Sequence, residues 1–392
     1  MLPFFIIFVE LIVQMLNFVF DKLYQFGIFV GKFLHLRCYF QKIESLNRFC
    51  LILFFASLTF SLLTVKLVRH LSYLYEDPLP CVGGNQQIPQ NSRSRLAIIL
   101  RDGKIIPHSP EWAVFFNFFS KITYQQGALR SGEYYFPPSS SFKDILKILR
   151  FSPSVLHFLS IPEGLTAIQI KDALNHAPGL KGKEVSFDEG YAFPDTYAFS
   201  LNSNRDDLLS RMHTSAERHL AKAWEERDIK TLNGLVDDPF TLLILASLIE
   251  KETSIDSERP KIARVFLNRI SKNMPLQTDP TIFYALALKG EDVPNKRLTF
   301  DHLKIESPYN TYRNKGLPPG PICSPGMSSL EAAAHPADGD DLYFVANGKG
   351  GHVFSTTFAQ HRQNIQQWHE AINNKKTNDQ KSLSKDIRKK LP

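Results

Sequence analysis

Seventeen consecutive uncharged residues, Phe49 to Val65 (FCLILFFASLTFSLLTV), constrain this chain more than any other stretch. With Leu67 and Val68 beyond a single Lys66, the run is just long enough to cross a bilayer as one helix, the lysine snorkelling towards the headgroups. Arg37, Lys42 and Arg48 precede it, which favours a cytoplasmic N-terminal side. A cleaved signal peptide needs a small-x-small site after the apolar run, and none follows; Pro-Leu-Pro before Cys81 makes a poor lipoprotein site. The expectation is a retained single-pass transmembrane anchor over residues 49–68. Residues 1–48 are Phe-rich and mostly apolar, and three readings stay open for them: a second hydrophobic segment, a membrane-surface element, or sequence upstream of the true start, with Met15 as an alternative start.

The chain has 392 residues, room for two or three domains. Its net charge of +7 is misleading as a whole-chain figure. Residues 1–75 carry 7 Lys/Arg against 3 Asp/Glu, and residues 373–392 carry 7 against 2, which leaves the body at −2. A nucleic-acid surface needs its basic residues clustered on the folded domain. Here they lie beside the membrane segment and in a tail, residues 373–392, that reads as disordered. No nucleic-acid partner is expected. Of four cysteines, only Cys81 and Cys323 lie away from the apolar segment, a pair that an oxidising compartment could join. There is no Cys-x-x-Cys and no zinc spacing, and the late histidines His335, His352 and His361 read as structural hydrogen-bonding groups, so neither a metal nor a cofactor is expected. Gly-x-Ser-x-Gly, a phosphate-cradling Gly-rich loop and His-Glu-x-x-His are all missing.

Along the chain, residues 78–95 read as a linker rich in Pro, Gly, Gln, Asn and Ser. Leu96–Leu100 is a short β-like run, and Ser131–Phe136 is another. Ser141 and Asp144 fit a capping box, with Phe142, Ile145, Leu146 and Leu149 on one apolar face. Thr166 can cap a helix ending near His176. The fold class expected is α+β: an N-terminal transmembrane helix, a small β/α module over 96–160, and a larger mixed α/β domain over 161–372. Within the latter, residues 161–235 lead into a unit beginning near Pro239.

The chemistry concentrates at the end of a second apolar run. Asp238-Pro239 signals a helix start with a capping side chain and proline at the first helical position. The helix that follows is apolar on every face, as buried helices are, and it ends in Glu250-Lys251-Glu252. A carboxyl at a half-buried boundary has its neutral form favoured, as a general acid requires; a carboxyl on a solvated last turn does not. Two residues apart means roughly 200° around the axis, so the two glutamates face opposite ways. Glu250 follows Ser247, Ala246 and Leu243 on its stripe, leaving room for a bulky ligand, whereas Glu252 follows Ile249, Leu248 and Leu245. This favours Glu250 as the reactive group. Asp279 and Pro280 read as the N-cap and first residue of a helix over 282–288, while Gln277 and Thr278 are free to bind hydroxyl or amide groups. Tyr309, Asn310 and Tyr312 offer two aromatic platforms and an amide, a set suited to sugars, or else two buried structural tyrosines. The run Gly316–Ile322 would hold a rigid turn beside them.

Taken in order, Ile161-Pro162-Glu163-Gly164, Glu189 to Tyr197, Ala246 to Thr253, Glu258-Arg259-Pro260, Val265 to Arg269, Leu276 to Thr281, Ser307 to Tyr312 and Gly316 to Ile322 resemble the endolytic murein transglycosylase (MltG, YceG-like) family. The series covers about residues 95–370. Two features depart from it: the Phe-rich region before Phe49, and Cys323, where a polar residue is expected. The resemblance implies a bacterial inner-membrane enzyme with its catalytic domain in the periplasm. It would cleave the MurNAc–GlcNAc β-1,4 bond within peptidoglycan glycan strands and leave 1,6-anhydroMurNAc ends. It also implies a LysM-like fold for residues 96–160, Glu250 as the catalytic residue, and peptidoglycan synthases as partners. Gln277, Thr278, Tyr309, Asn310 and Tyr312 are then the substrate-binding candidates, with Glu252, Asp279 and Asp195 in support. Two rival readings remain: a lysozyme-like muramidase using Asp279 or Glu252 as a second carboxylate, and a non-catalytic glycan-binding scaffold.

Overall fold

The computed structural model describes residues 21, 22, 25, 37–232, 234–291 and 297–370. The expectations for residues 1–20, for nearly all of 21–36 and for the basic tail lie outside these residues. The chain divides into two compact units, Met1–Val155 and Leu156–Pro392.

In the first unit, helix α1 (Arg37–Glu76) contains the apolar run, and its stretch Arg48–Glu76 is long and apolar enough to cross a membrane. That one N-terminal apolar helix fits a membrane anchor. The helix does not stop where the apolar run stops. Tyr75, near its end, stacks at a tilt 5.0 Å from Phe119, and Glu76 accepts a bond from Lys143 Nζ at 3.0 Å. The last turn of α1 is therefore part of the unit's own packing.

Strand β1 (Gly84–Ile88) pairs antiparallel with β2 (Gly132–Phe136), Gly84 opposite Phe136 and Ile88 opposite Gly132. The segment read as a linker thus supplies a strand. The β-like run at Leu96 is instead helix α2 (Leu96–Asp102). Its buried residues Leu96, Ala97 and Leu100 recur at helical spacing, and a five-residue apolar run carries too little periodicity to tell strand from helix. Helices α3 (Pro110–Ile122) and α4 (Phe142–Phe151) complete the unit. The capping box forms as expected, Asp144 N–H donating to Ser141 Oγ at 3.2 Å and Ser141 N–H to the Asp144 carboxylate at 3.1 Å. Phe142, Ile145, Leu146 and Leu149 of α4 close the core with Phe116 and Phe119 of α3 and Phe136 of β2.

The second unit has two cores. The smaller lies under β3 (Leu156–Ser160) and its antiparallel partner β5 (Thr196–Ser200), where Ile161, Ile170, Leu174, Tyr197, Phe199 and Met212 meet. Helix α5 (Ala167–His176) starts there, capped by Thr166 as expected, and two-residue strands β4 (Leu180–Lys181) and β6 (Ser203–Asn204) pair in parallel before the long α6 (Arg205–Glu225). After the single turn α7 (Ile229–Leu232), the larger core is built on α8 (Pro239–Glu252). Asp238 caps α8 through Thr241 N–H at 2.9 Å, and every residue from Leu242 to Ile249 is buried. Around it pack α9 (Arg259–Ser271), α10 (Asp279–Leu288) and α11 (Met327–Ala334). The hairpin β7 (Tyr343–Ala346) and β8 (His352–Ser355) follows. This mixture of helices and small sheets is α+β.

Candidate active site

Helix α8 breaks at Thr253, whose backbone turns extended. Its last turn thereby delivers Glu250 and Glu252 to opposite sides, as the 200° rotation requires. The two sites differ in kind.

On one side, a single oxygen of Glu250, Oε2, accepts three hydrogen bonds: from Arg259 Nη1 at 3.0 Å, Ser329 Oγ at 2.7 Å and Gly326 N–H at 3.0 Å. Oε1 takes part in none of these. The pair is nearly dry, with side-chain exposures of 7% for Glu250 and 5% for Arg259. Arg259 Nε is also held by Asp256 Oδ1 at 3.1 Å, and its Nη1 reaches Ser329 Oγ. The segment Glu163-Gly164-Leu165 lies over this carboxylate. Gly164 N–H donates to Ser324 O and Ser324 N–H to Leu165 O, both at 2.9 Å, and Lys251 Nζ ties down Gly164 O at 3.1 Å. A Cβ on Gly164 would meet Glu250 Cγ at 3.7 Å, so the turn sits directly on the side chain.

On the other side, Glu252 accepts from Thr278 Oγ1. Burial pushes its carboxyl up to about 7, and the nearby Asp279 adds to this; Thr278, His352 and Arg269 pull it back. Tyr312 Oη donates to Asp279 Oδ1 at 2.5 Å. The structure thus brings Glu252, Thr278, Asp279 and Tyr312 into one cluster.

Three sequence readings change here. Asp279 does not cap α10: Thr278 holds the cap position, and the Asp279 carboxylate is taken by Tyr312. Thr278 is buried, with its hydroxyl committed to Glu252 and its N–H to Thr311 Oγ1 at 3.1 Å. Asn310 is fully buried; its amide donates to Leu303 O at 3.0 Å and Ile305 O at 2.8 Å, while its carbonyl accepts from Tyr312 N–H. Both side chains are buried and hydrogen-bonded within the fold, Thr278 to α8 and Asn310 within its own loop. Gln277 is exposed, in a left-handed turn with φ of 53°. Tyr309 is half-buried, its ring 4.9 Å from Tyr284 and its hydroxyl against Gly320, where a Cβ would come within 2.9 Å. The Pro/Gly turn thus packs on Tyr309. Asp195 is exposed and accepts from the next N–H, Thr196, at 2.7 Å; among the described residues it bonds to no other candidate.

The sequence reading assigned no role to Arg259, Ser329, Glu163 or Glu189. Arg259 did carry a signal: it falls on the stripe of Ile262, Ala263 and Phe266, where a charge is out of place unless paired. Glu189, read only as part of a motif, accepts from Ala167 N–H at 2.7 Å and Tyr284 Oη at 3.2 Å, and burial raises its carboxyl above the ordinary range. Cys323, at the position where a polar residue was expected, is a free, buried thiol that donates to Ser247 O of α8 at 3.4 Å. Among the described residues no cluster of His, Cys, Asp and Glu could hold a metal.

Comparison with known proteins bears on this arrangement. The model of the YceG-like family matches residues 87–367, well over half of the chain. The chain belongs to the YceG-like family. A protein of Bacillus subtilis named endolytic murein transglycosylase is 44% identical over 174 residues, 44% of this chain and 46% of that protein. One of Streptococcus pneumoniae (strain D39), with the same name, is 29% identical over 311 residues, 68% of this chain and 55% of that protein. The chain therefore spans about half the length of these YceG-like relatives. A crystal structure of the yceG-like protein lmo1499 of Listeria monocytogenes superposes with a TM-score of 0.45 at 33% identity, covering 72% of this chain and 99% of that one.

Proposed function

We propose that this chain is an endolytic lytic transglycosylase that cleaves the MurNAc–GlcNAc β-1,4 bond of peptidoglycan strands and leaves 1,6-anhydroMurNAc ends. The observation that carries the reading is the one-sided fixing of Glu250. With Oε2 locked by Arg259, Ser329 and Gly326, Oε1 is left to serve as the reacting atom. Preorganisation of that kind is what acid–base catalysis requires. The protonated carboxyl gives its proton to the glycosidic oxygen as the bond to the anomeric carbon breaks. The resulting carboxylate then accepts the proton of the sugar's own 6-hydroxyl, whose oxygen closes on the anomeric carbon. One carboxylate suffices, because no water or enzyme nucleophile is needed. Gln277, Tyr309 and Tyr312 remain the proposed sugar contacts; Glu252, Asp279 and Asp195 are not part of this chemistry.

The relatives' names support the substrate class. The apolar helix supports anchoring in the bacterial inner membrane, with the second unit in the periplasm. In the first unit, a two-stranded sheet flanked by helices supports a LysM-like, glycan-contacting role. The proposed task is terminating or trimming nascent strands beside the peptidoglycan synthases. The test is digestion of purified glycan strands by wild type and Glu250→Gln, read by mass spectrometry. Wild type should release anhydro ends and the variant should lose at least a hundredfold in rate, the lower range expected for a general acid. Reducing ends one water heavier would identify a muramidase instead, and unchanged strand lengths a scaffold.

A further inference from the structure

We infer that Glu163 is a positioning residue for the proposed reaction, a second carboxylate that the fold holds against Gly326 so that its charge acts on Glu250. The inference rests on the transglycosylase reading above. It comes from one glycine touched on two sides. Gly326 N–H donates to Glu250 Oε2 at 3.0 Å, and a Cβ built on the same glycine would overlap the Glu163 carboxylate, 1.8 Å from its Oε1. The two acids are thus separated by a single residue that has no side chain. Two backbone bonds, Gly164 N–H to Ser324 O and Ser324 N–H to Leu165 O, fasten the Glu163 turn to the segment before α11, and Lys251 Nζ fastens Gly164 O to α8. Gly164, with φ of 76°, permits the turn.

The charged groups facing the pair are Arg259 and Asp256 from the segment before and within α9, and Lys251 on α8. Arg259 is committed to Glu250 and Asp256, and Lys251 to a carbonyl, so among the described residues no hydrogen-bonded cation neutralises Glu163. Desolvation raises the Glu163 carboxyl above its ordinary value, the Glu250 carboxylate raises it further, and Arg259 opposes both. Two carboxyls this close resist ionising together. A negative Glu163 therefore sets a repulsive charge beside the Glu250 carboxyl, opposite in sign to the Arg259 guanidinium.

The test is the pH dependence of anhydro-end release by the full-length protein in detergent micelles, for wild type, Glu163→Gln, Glu163→Asp and Gly326→Ala. Glu163→Gln removes the charge and should move the alkaline limb to lower pH by about one unit, so that the rate at the alkaline end falls roughly tenfold. Glu163→Asp should keep most of the wild-type limb. Gly326→Ala keeps both acids but pushes the flexible Glu163 carboxylate aside, and should shift the limb in the same direction as Glu163→Gln. If the active wild type and Glu163→Gln share one profile differing only by a constant factor, or if Gly326→Ala leaves the limb in place, the inference is overturned alone. If wild type releases no anhydro ends, the transglycosylase reading falls and takes this inference with it.

Discussion

Glu250 and Glu252 are chemically identical and separated by one residue, yet the fold gives them different surroundings. Glu250 is ion-paired and bonded through one oxygen, whereas Glu252 is buried beside Asp279 with a single hydroxyl donor. The second arrangement has a measurable consequence. The Glu252 value in the folded chain, about 7, lies above the ordinary 4.5, so between those pH values the folded chain keeps a proton that the unfolded chain has lost. Its contribution to stability is full below about 4.5 and is lost as pH rises through about 7. Glu252→Gln should therefore unfold with a flatter pH dependence than wild type, gaining relative stability between about pH 5 and about pH 8. Thermal melts of both proteins across that range check it; a gap constant with pH would contradict the assignment. The same contrast explains what could be read beforehand. The opposite facing of the two side chains follows from helix geometry alone, but the choice of Glu250 rests on Arg259, Ser329 and Gly326, which come from 9 to 79 residues away.

At the scale of elements, α8 is the strut on which the candidate site depends. Its start was legible because a cap is a local matter, Asp238 bonding Thr241 three residues on. Its attachment was not, because Ser247 looks like one more small residue in an apolar run. In the fold, Ser247 Oγ donates to Ile244 O at 2.7 Å and accepts from Ile322 N–H at 3.1 Å, which docks the Pro/Gly turn onto the helix. Ser247→Ala leaves that buried N–H without an acceptor and is expected to cost about 1–3 kcal/mol. Denaturant unfolding measures the loss; a stability unchanged from wild type would contradict the assigned bond. Misread elements share a cause with Ser247. The runs at β1 and α2 took their state from the partners they meet, Gly132–Phe136 for the strand and a Phe-rich core for the helix.

At the scale of the molecule, the chain joins an apolar helix to two units with separate cores, and α1 belongs to the first of them as well as to the proposed anchor. Tyr75 contributes to that core through Phe119. Tyr75→Ala should destabilise the first unit by roughly 1–3 kcal/mol, less than for a fully buried aromatic because the ring is half-buried. Hydrogen exchange on the full-length protein should then show weaker protection in β1 and β2 and unchanged protection in α8; a loss shared by both units would contradict separate cores. Sequence alone determined the apolar segment, the caps at Ser141, Thr166 and Asp238, the buried character of α8 and the divergence of its two glutamates. Each of these is set by neighbours within about one turn of helix or by composition over a single span. Only the tertiary structure buried Asn310 and Thr278 and tied them to Leu303, Ile305 and Glu252. Likewise, only the tertiary structure paired Arg259 with Glu250 and put Glu163 beside Gly326. Those contacts join residues far apart in the chain, and a side chain's free hydrogen-bonding capacity is known only once its long-range partners are counted.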